Sequence, residues 1–156
     1  MIAIAEGPSY LLAVLLISLV GAAIFDIWKR QVPNIAVIAA GLSGLAAFLL
    51  TGNGAQIWQP LLAAIAIIVI GVPLFARQWV GGGDIKLLAA AACWFTVKGA
   101  LQFLASTLLA GGALALSFLA IRLVAGGKAS RSTQGGIPYA VAIAIGAAFQ
   151  VWKYRY

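Results

Sequence analysis

Two acidic residues beside long apolar runs are the side chains in this sequence best suited to chemistry. Its 156 residues include only three Asp and Glu in total, and two of these, Asp26 and Asp84, adjoin such runs. A carboxylate near the hydrocarbon of a bilayer costs on the order of 3 kcal/mol, so we expect it to have a function. Two carboxylates held close together share one proton and act as acid and base toward one reacting group. Asp26 and Asp84 are therefore the candidate catalytic pair.

The composition predicts an integral membrane protein. Apolar residues make up 64% of the chain and charged residues only 8%, whereas soluble domains are about a quarter charged. We expect one all-α, polytopic bundle over residues 1–156, in contact with the lipid bilayer. The net charge of +7 comes mostly from short loops between apolar runs. Because no basic cluster contains interleaved aromatic residues, nucleic-acid binding is not expected.

Several other chemistries lack the residues they need. The chain has no His and a single cysteine, Cys93. Disulfides, CxxC metal sites, the usual zinc ligand sets and His-dependent nucleophilic catalysis are not expected, and we predict no cofactor or metal. The segment before the first apolar run contains Glu6 but no Lys or Arg, unlike a signal peptide, so this run is predicted to remain as a membrane helix.

Apolar runs long enough to cross a bilayer fall at roughly 9–26, 34–51, 60–77, 100–122 and 137–152. A sixth run, 85–97, has only thirteen residues before Lys98. If it crosses, the bundle has six helices; if it is re-entrant or a core helix, there are five. We predict about six transmembrane helices, with the five-helix arrangement as the alternative.

The basic residues predict the orientation of the bundle. With six crossings, seven basic residues fall on one side of the membrane and three on the other. The positive-inside rule places the group of seven in the cytoplasm. These residues are Lys29, Arg30, Arg77, Lys86, Arg122, Lys128 and Arg131. Asp26 then ends the first helix and Asp84 begins the fourth at the same cytoplasmic face. With five helices, both would still lie near the cytoplasm.

Two further patterns concern packing. The small residues of Ala39-xxx-Ser43-xxx-Ala47 and Ala142-xxx-Gly146 let helices approach closely, and packing inside the bundle is favoured over a dimer face. The tryptophans lie at or near predicted helix ends, where interfacial anchors are expected: Trp28, Trp58, Trp79, Trp94 and Trp152.

The glycines of 81–83 precede Asp84 at the predicted start of a helix. Glycine permits a close backbone approach and backbone angles closed to other residues, and a loop of this kind can move to admit an extended peptide. The helix dipole favours the ionised form of Asp84. The alternative is two unrelated interfacial aspartates that cap helices or pair with lysines, and spacing alone does not decide between them.

Three motifs together resemble the type IV prepilin peptidases, intramembrane aspartyl proteases of the GxGD type. They are DIWKRQVPN at 26–34, GGGDIKL at 81–87 and GIPYAV at 136–141, in the order and spacing of that family. The resemblance implies that Asp26 and Asp84 are catalytic. It also suggests supporting roles near the substrate for Gly81, Gly83, Lys86, Pro33, Asn34, Gly136 and Pro138.

The resemblance further implies an inner-membrane peptidase whose partner is a prepilin or pseudopilin, cut just ahead of its hydrophobic helix at the cytoplasmic face. Longer members carry an extra segment with paired CxxC motifs, associated with zinc and N-methylation. This chain lacks it and is similar to the short forms that serve tight-adherence (Flp-type) pili, so we expect cleavage without methyl transfer.

Two other functions remain open at this point. A transporter or channel would use Asp26 and Asp84 as proton or ion sites, although such sites are expected near helix centres. A non-catalytic partner in pilus or secretion assembly would need neither carboxylate. The sequence does not indicate which pilin is cut or the oligomeric state.

Overall fold

The computed structural model describes residues 7–51, 54–124 and 139–155. These residues form helices and no strand, which confirms the predicted all-α fold. The helices are α1 (Ser9–Lys29), α2 (Asn34–Leu50), α3 (Trp58–Ala76), α4 (Gly82–Ala92), α5 (Val97–Val124) and α6 (Tyr139–Arg155), with a short 3₁₀ helix at Gly54–Gln56.

The outer surface of the bundle is apolar, as in a membrane protein. Among the described residues, three helical stretches are long and apolar enough to cross a bilayer: Ser9–Lys29, Gly54–Ala76 and Val97–Ile121. Asn34–Leu50 is apolar but shorter. On α1, Leu15 and Leu19 are buried in the core, whereas Ile17 is 71% exposed. A helix that is apolar on both its inner and its outer face is what a lipid environment requires.

Successive helices run in alternating directions around α4. Along α2 and α4, Gly41 lies against Ala90 and Gly44 against Cys93, so these two helices are parallel. On α3, Gly71 lies against Ile85, and Phe75, further along α3, lies against the first residue of α4, so α3 and α4 are antiparallel.

The last two helices continue the alternation. Gly146 of α6 packs on Thr107 of α5, and further along the same pair the Tyr154 hydroxyl donates a hydrogen bond to Gln102. At the far end of α6, Arg155 donates to the Ser9 hydroxyl of α1 at 2.7 Å. The end of α1 and the starts of α2, α4 and α6 therefore meet at one end of the bundle.

The segment 85–97 crosses the bundle without forming a full-length helix. The eleven residues of α4 extend about 16 Å, well short of the roughly 30 Å hydrocarbon core. Hydrogen bonds of the 3₁₀ type, from Cys93, Trp94 and Phe95 to the carbonyls three residues earlier, then carry the chain onward. Because α5 begins at the opposite end and runs back, the described residues follow the six-helix arrangement.

The prediction that all five tryptophans are interfacial anchors is wrong for one of them. Four of the tryptophans, among them Trp28 and Trp79, are exposed at helix ends, but Trp94 is completely buried. Its indole N–H donates to the Ala40 carbonyl at 3.1 Å. The indole packs against α2 where Gly44 has no side chain, so this tryptophan fixes the depth of the turn that follows α4.

The predicted small-residue motifs pack inside the bundle. Ser43 and Ala47 are buried on α2, and Ala142 and Gly146 are buried on the face of α6 that meets α5. These contacts support internal packing over a dimer face.

Replacing Gly44 with Ala should destabilise the bundle, whereas replacing Gly21 should not. A Cβ at position 44 would lie 2.7 Å from the Trp94 ring and 2.8 Å from the Cys93 backbone, and the backbone cannot yield without moving the turn. A Cβ at position 21 meets nothing within 4 Å. We expect Gly44→Ala to lower the free energy of unfolding by about 1–3 kcal/mol. Gly21→Ala should be neutral or stabilising by up to about 1 kcal/mol.

The measurement is unfolding in detergent micelles, followed by tryptophan fluorescence. Equal stability of the two variants would show that the approach of α2 to the 93–94 turn is not tight.

Candidate active site

A cleft of about 370 Å³ opens at the end of the bundle where α1 ends and α2 and α4 begin. Both candidate carboxylates line it. The remaining lining comes from the α1–α2 connection, the first turn of α2, the glycine segment before Asp84 and the start of α4: Arg30, Gln31, Val32, Asn34, Val37, Gly81, Gly82, Gly83 and Lys86. Two acids and two bases therefore face one solvent-accessible space.

Asp26 lies in the last turn of α1 and is only 8% exposed. The backbone N–H of Ala140 donates a hydrogen bond to its Oδ2 atom at 3.2 Å. Ala140 is the second residue of α6, and the N–H groups of a first helical turn have no partner within their own helix. The start of α6 thus uses a free donor to hold the Asp26 carboxylate in place.

Asp84 lies in the first turn of α4, outside the candidate membrane-spanning helices. Burial, reinforced by the negative charge of Asp26, raises the pKa of Asp84 from its ordinary 3.8 to about 6. A backbone hydrogen bond from Gly81 acts in the opposite direction. The stabilisation of the ionised form expected from the helix start is therefore outweighed, and a proton is retained at this carboxyl into the mildly acidic range.

The glycines of 81–83 are needed for space, not for unusual backbone angles. A Cβ at Gly81 would lie 2.7 Å from Asp84 Oδ2, and one at Gly83 would lie 3.0 Å from the Val32 Cβ. Gly81 itself has φ −67° and ψ 137°, which other residues adopt freely. The prediction of unusual backbone φ and ψ angles is therefore wrong, because the helix starts at Gly82 and these glycines adopt angles that other residues also adopt. The tight contacts seen here are within the chain, and the approach of a substrate peptide to these glycines stays a prediction.

The other predicted site residues differ in position. Asn34 and Lys86 line the cleft. Pro33 does not, but its carbonyl accepts the Ala36 N–H at 3.0 Å and so begins α2 beside the cleft. Gly136 and Pro138 lie outside the described residues.

The structure adds three residues that lie within the quoted motifs but had been given no role in the site. Ala140 contributes through its backbone, which no side-chain pattern reveals. Tyr139, the first residue of α6, is close enough to Asp84 to interact with its charge. Arg30 ends α1 in the left-handed conformation, at φ 54° and ψ 37°, and its N–H donates to the Asp26 carbonyl. All three lie within DIWKRQVPN or GIPYAV, and that membership was the available signal.

Acid–base chemistry is what this arrangement supports. Two carboxyls face one cleft, one fixed by a backbone donor and the other keeping a proton near pH 6. One group can accept a proton from water while the other donates one. Among the described residues, no group of three or more His, Cys, Asp or Glu side chains is placed to hold a metal ion.

Comparison with known proteins yields one match. A family model described as the type IV leader peptidase family matches residues 13–116, a range that contains both Asp26 and Asp84. No curated protein and no solved structure matches the chain.

Asp84→Asn should gain stability relative to the original protein as the pH rises. Because the pKa of Asp84 is raised on folding, the folded protein holds a proton that the unfolded chain has already released between about pH 4 and 6. The stabilisation that Asp84 provides in its protonated form is therefore complete below pH 4 and is lost as the pH rises through 6. Asn does not titrate, so the difference in melting temperature between variant and original should grow across this window.

Thermal unfolding in detergent at several pH values measures this difference. Asn34→Ala, which changes a neutral residue of the same cleft, is the control and should show a constant difference. A constant difference for Asp84→Asn as well would mean that the pKa of Asp84 is not raised.

Proposed function

The chain belongs to the type IV leader peptidase family, and from this premise we propose that it is an intramembrane aspartyl endopeptidase that removes leader peptides from prepilins or pseudopilins. The observation that carries the proposal is the meeting of Asp26 and Asp84, from different helices, in one cleft at one end of the bundle. The family match supports a peptidase, and the paired carboxylates supply a mechanism for one.

Hydrolysis begins with one proton on the pair. The ionised carboxylate takes a proton from a water molecule as the water oxygen attacks the peptide carbonyl carbon, and the protonated carboxyl gives its proton to the carbonyl oxygen. This forms a neutral gem-diol and leaves the pair with one proton again. Collapse of the diol returns a hydroxyl proton to one carboxylate while the amine leaves with a proton from the other.

The cleft geometry suits a peptide cut at the membrane surface. It lies at a helix end, is open to solvent and is bounded by the connection between α1 and α2. A transporter would place its carboxylates along a path through the bundle, and these two lie at one end of it. Nothing in the described residues favours the transporter or the non-catalytic assembly partner.

Charge supports a cytoplasmic location for the cleft. The described basic residues at that end are Lys29, Arg30, Arg77, Lys86 and Arg122, and those at the opposite end are Lys98, Lys153 and Arg155. Lys128 and Arg131, which the sequence assigns to the cleft end, lie outside the described residues. The excess follows the positive-inside rule, and we infer an inner-membrane protein with its cleft facing the cytoplasm.

Neutralising either member of the pair should abolish processing. We expect Asp26→Asn and Asp84→Asn each to reduce kcat/KM by roughly 10²–10⁴-fold or more, because each removes one half of the proton exchange. Membrane insertion should be unaffected, since a neutral amide inserts at least as easily as a carboxylate. The measurement is leader removal from a co-expressed prepilin, scored by gel shift and by the N-terminus of the product.

Glu6→Gln is the matched control because it neutralises the third acid of the chain, and it should process normally. Near-normal processing by either aspartate variant would remove that residue from the mechanism.

The pH dependence of cleavage should reveal the shared proton. Since activity needs one proton on the pair, kcat/KM should rise and then fall with pH, with its falling limb near pH 6, where Asp84 loses its proton. The assay uses purified protein and a synthetic prepilin over pH 4–9. A flat profile through this range would contradict a proton-sharing pair.

A further inference from the structure

A second concavity lies on the other side of α4 from the cleft. It has a volume of about 260 Å³ and an almost wholly apolar lining from α3, α4 and α5, including Ile70, Leu74, Ile85, Leu104 and Leu108. We call it the α3–α5 groove. It exists because α3 packs mainly on α4, and α5 mainly on α6, so that the two helices leave a gap between them.

The inner end of the groove adjoins the carboxylate pair. Asp84 lines the cleft and its neighbour Ile85 lines the groove; likewise Gly81 lines the cleft and Val80 the groove. Tyr139 lines the groove and is also within reach of the Asp84 charge. The first turn of α4 is therefore a thin wall between a polar space and an apolar one.

The ring of Tyr139 is held in place at this wall. Its Cε2 atom lies 3.1 Å from the position a Cβ would take on Gly111 of α5, so the ring packs directly on that helix. At its outer side the groove is open, because Ile70 and Leu108 are each 64% exposed. An apolar chain can thus enter from the membrane side and reach the wall beside Asp84.

We propose that the α3–α5 groove binds the apolar segment of the substrate that follows the scissile bond. This inference rests on the proposed function, in which a polar leader is joined directly to a hydrophobic helix. A peptide laid across the first turn of α4 has its leader in the cleft, its scissile bond at the carboxylates and its next side chains in the groove. The groove admits side chains and not a whole helix, so the remainder of the substrate helix faces lipid.

The groove suits the apolar segment of the substrate better than a lipid chain, because the inner end of the groove lies beside Asp84. A lipid needs only an apolar surface, and α1, α2, α3 and α5 all expose such surfaces. The α3–α5 groove differs in ending one residue from Asp84, where the residues following the cut must lie.

Photo-crosslinking tests the contact without requiring activity. Benzoylphenylalanine is incorporated at position 70 or 108 in the Asp84→Asn protein, which holds substrate uncut, and a full-length prepilin is added in detergent or nanodiscs. We expect crosslinks to the apolar segment of the prepilin. The controls are positions 17 and 42, where Ile17 and Leu42 are similarly exposed, at 71% and 63%, on other helices. Crosslinks only to lipid, or equal yields at the controls, would overturn the inference.

Cleavage kinetics give a second readout in the active protein. Ile70→Trp and Leu108→Trp fill the groove from exposed positions and should lower kcat/KM for full-length prepilin by about tenfold or more, mainly through KM. Ile17→Trp and Leu42→Trp should stay within about twofold. If the original protein cleaves and the groove variants cleave equally well, the groove inference alone fails. If the original protein cleaves no prepilin, the proposed function fails.

Discussion

The close approach of α2 and α3 to α4 is the constraint on which the active site depends. A helix of eleven residues cannot span the bundle alone, and its position is set by glycines that let neighbouring backbones and side chains lie directly against it. Gly44 admits the Trp94 ring, Gly71 lies against Ile85 and Gly83 lies against Val32. Because these contacts occur in the first turn of α4 and in the turn that follows its end, they fix its depth and its rotation together. In that position Asp84 faces the same cleft as Asp26.

Bringing the carboxylates together has an electrostatic cost, which the fold reduces through a backbone hydrogen bond to Asp26 and a proton kept at Asp84. Asp26 is almost fully buried, and its Oδ2 atom accepts a backbone N–H from the start of α6. Asp84 is less buried, and the combined effect of burial and the Asp26 charge raises its pKa to about 6. The site thus avoids two adjacent negative charges by keeping a proton at one of them, which is the state that acid–base catalysis of peptide hydrolysis requires.

Sequence reasoning identified the features that follow from residue type and from the spacing of apolar residues. The scarcity of acids singled out Asp26 and Asp84, the apolar runs gave the helices, and helix alternation predicted that both aspartates lie at one end. It did not identify contributions made through the backbone or through distant packing. The Ala140 N–H has no side-chain signature, and the burial of Trp94 depends on the absence of a side chain at Gly44, on another helix. Because 85–97 is short, the prediction of about six helices kept five as its alternative. The 3₁₀ turn after α4 and the start of α5 at the opposite end show how the chain crosses the bundle.

The first turn of α4 explains how one short helix can serve two chemical environments. Consecutive residues of a helix point about 100° apart, so Asp84 and Ile85 face different spaces although they are neighbours in sequence. The cleft side is polar and open to water, and the groove side is apolar and open toward the membrane. A peptide that changes from polar to apolar along its length is most stable when this change coincides with the wall between the two spaces. The carboxylates lie at that wall, so under the proposed function the bond to be cut would lie where hydrophobic burial of the substrate begins.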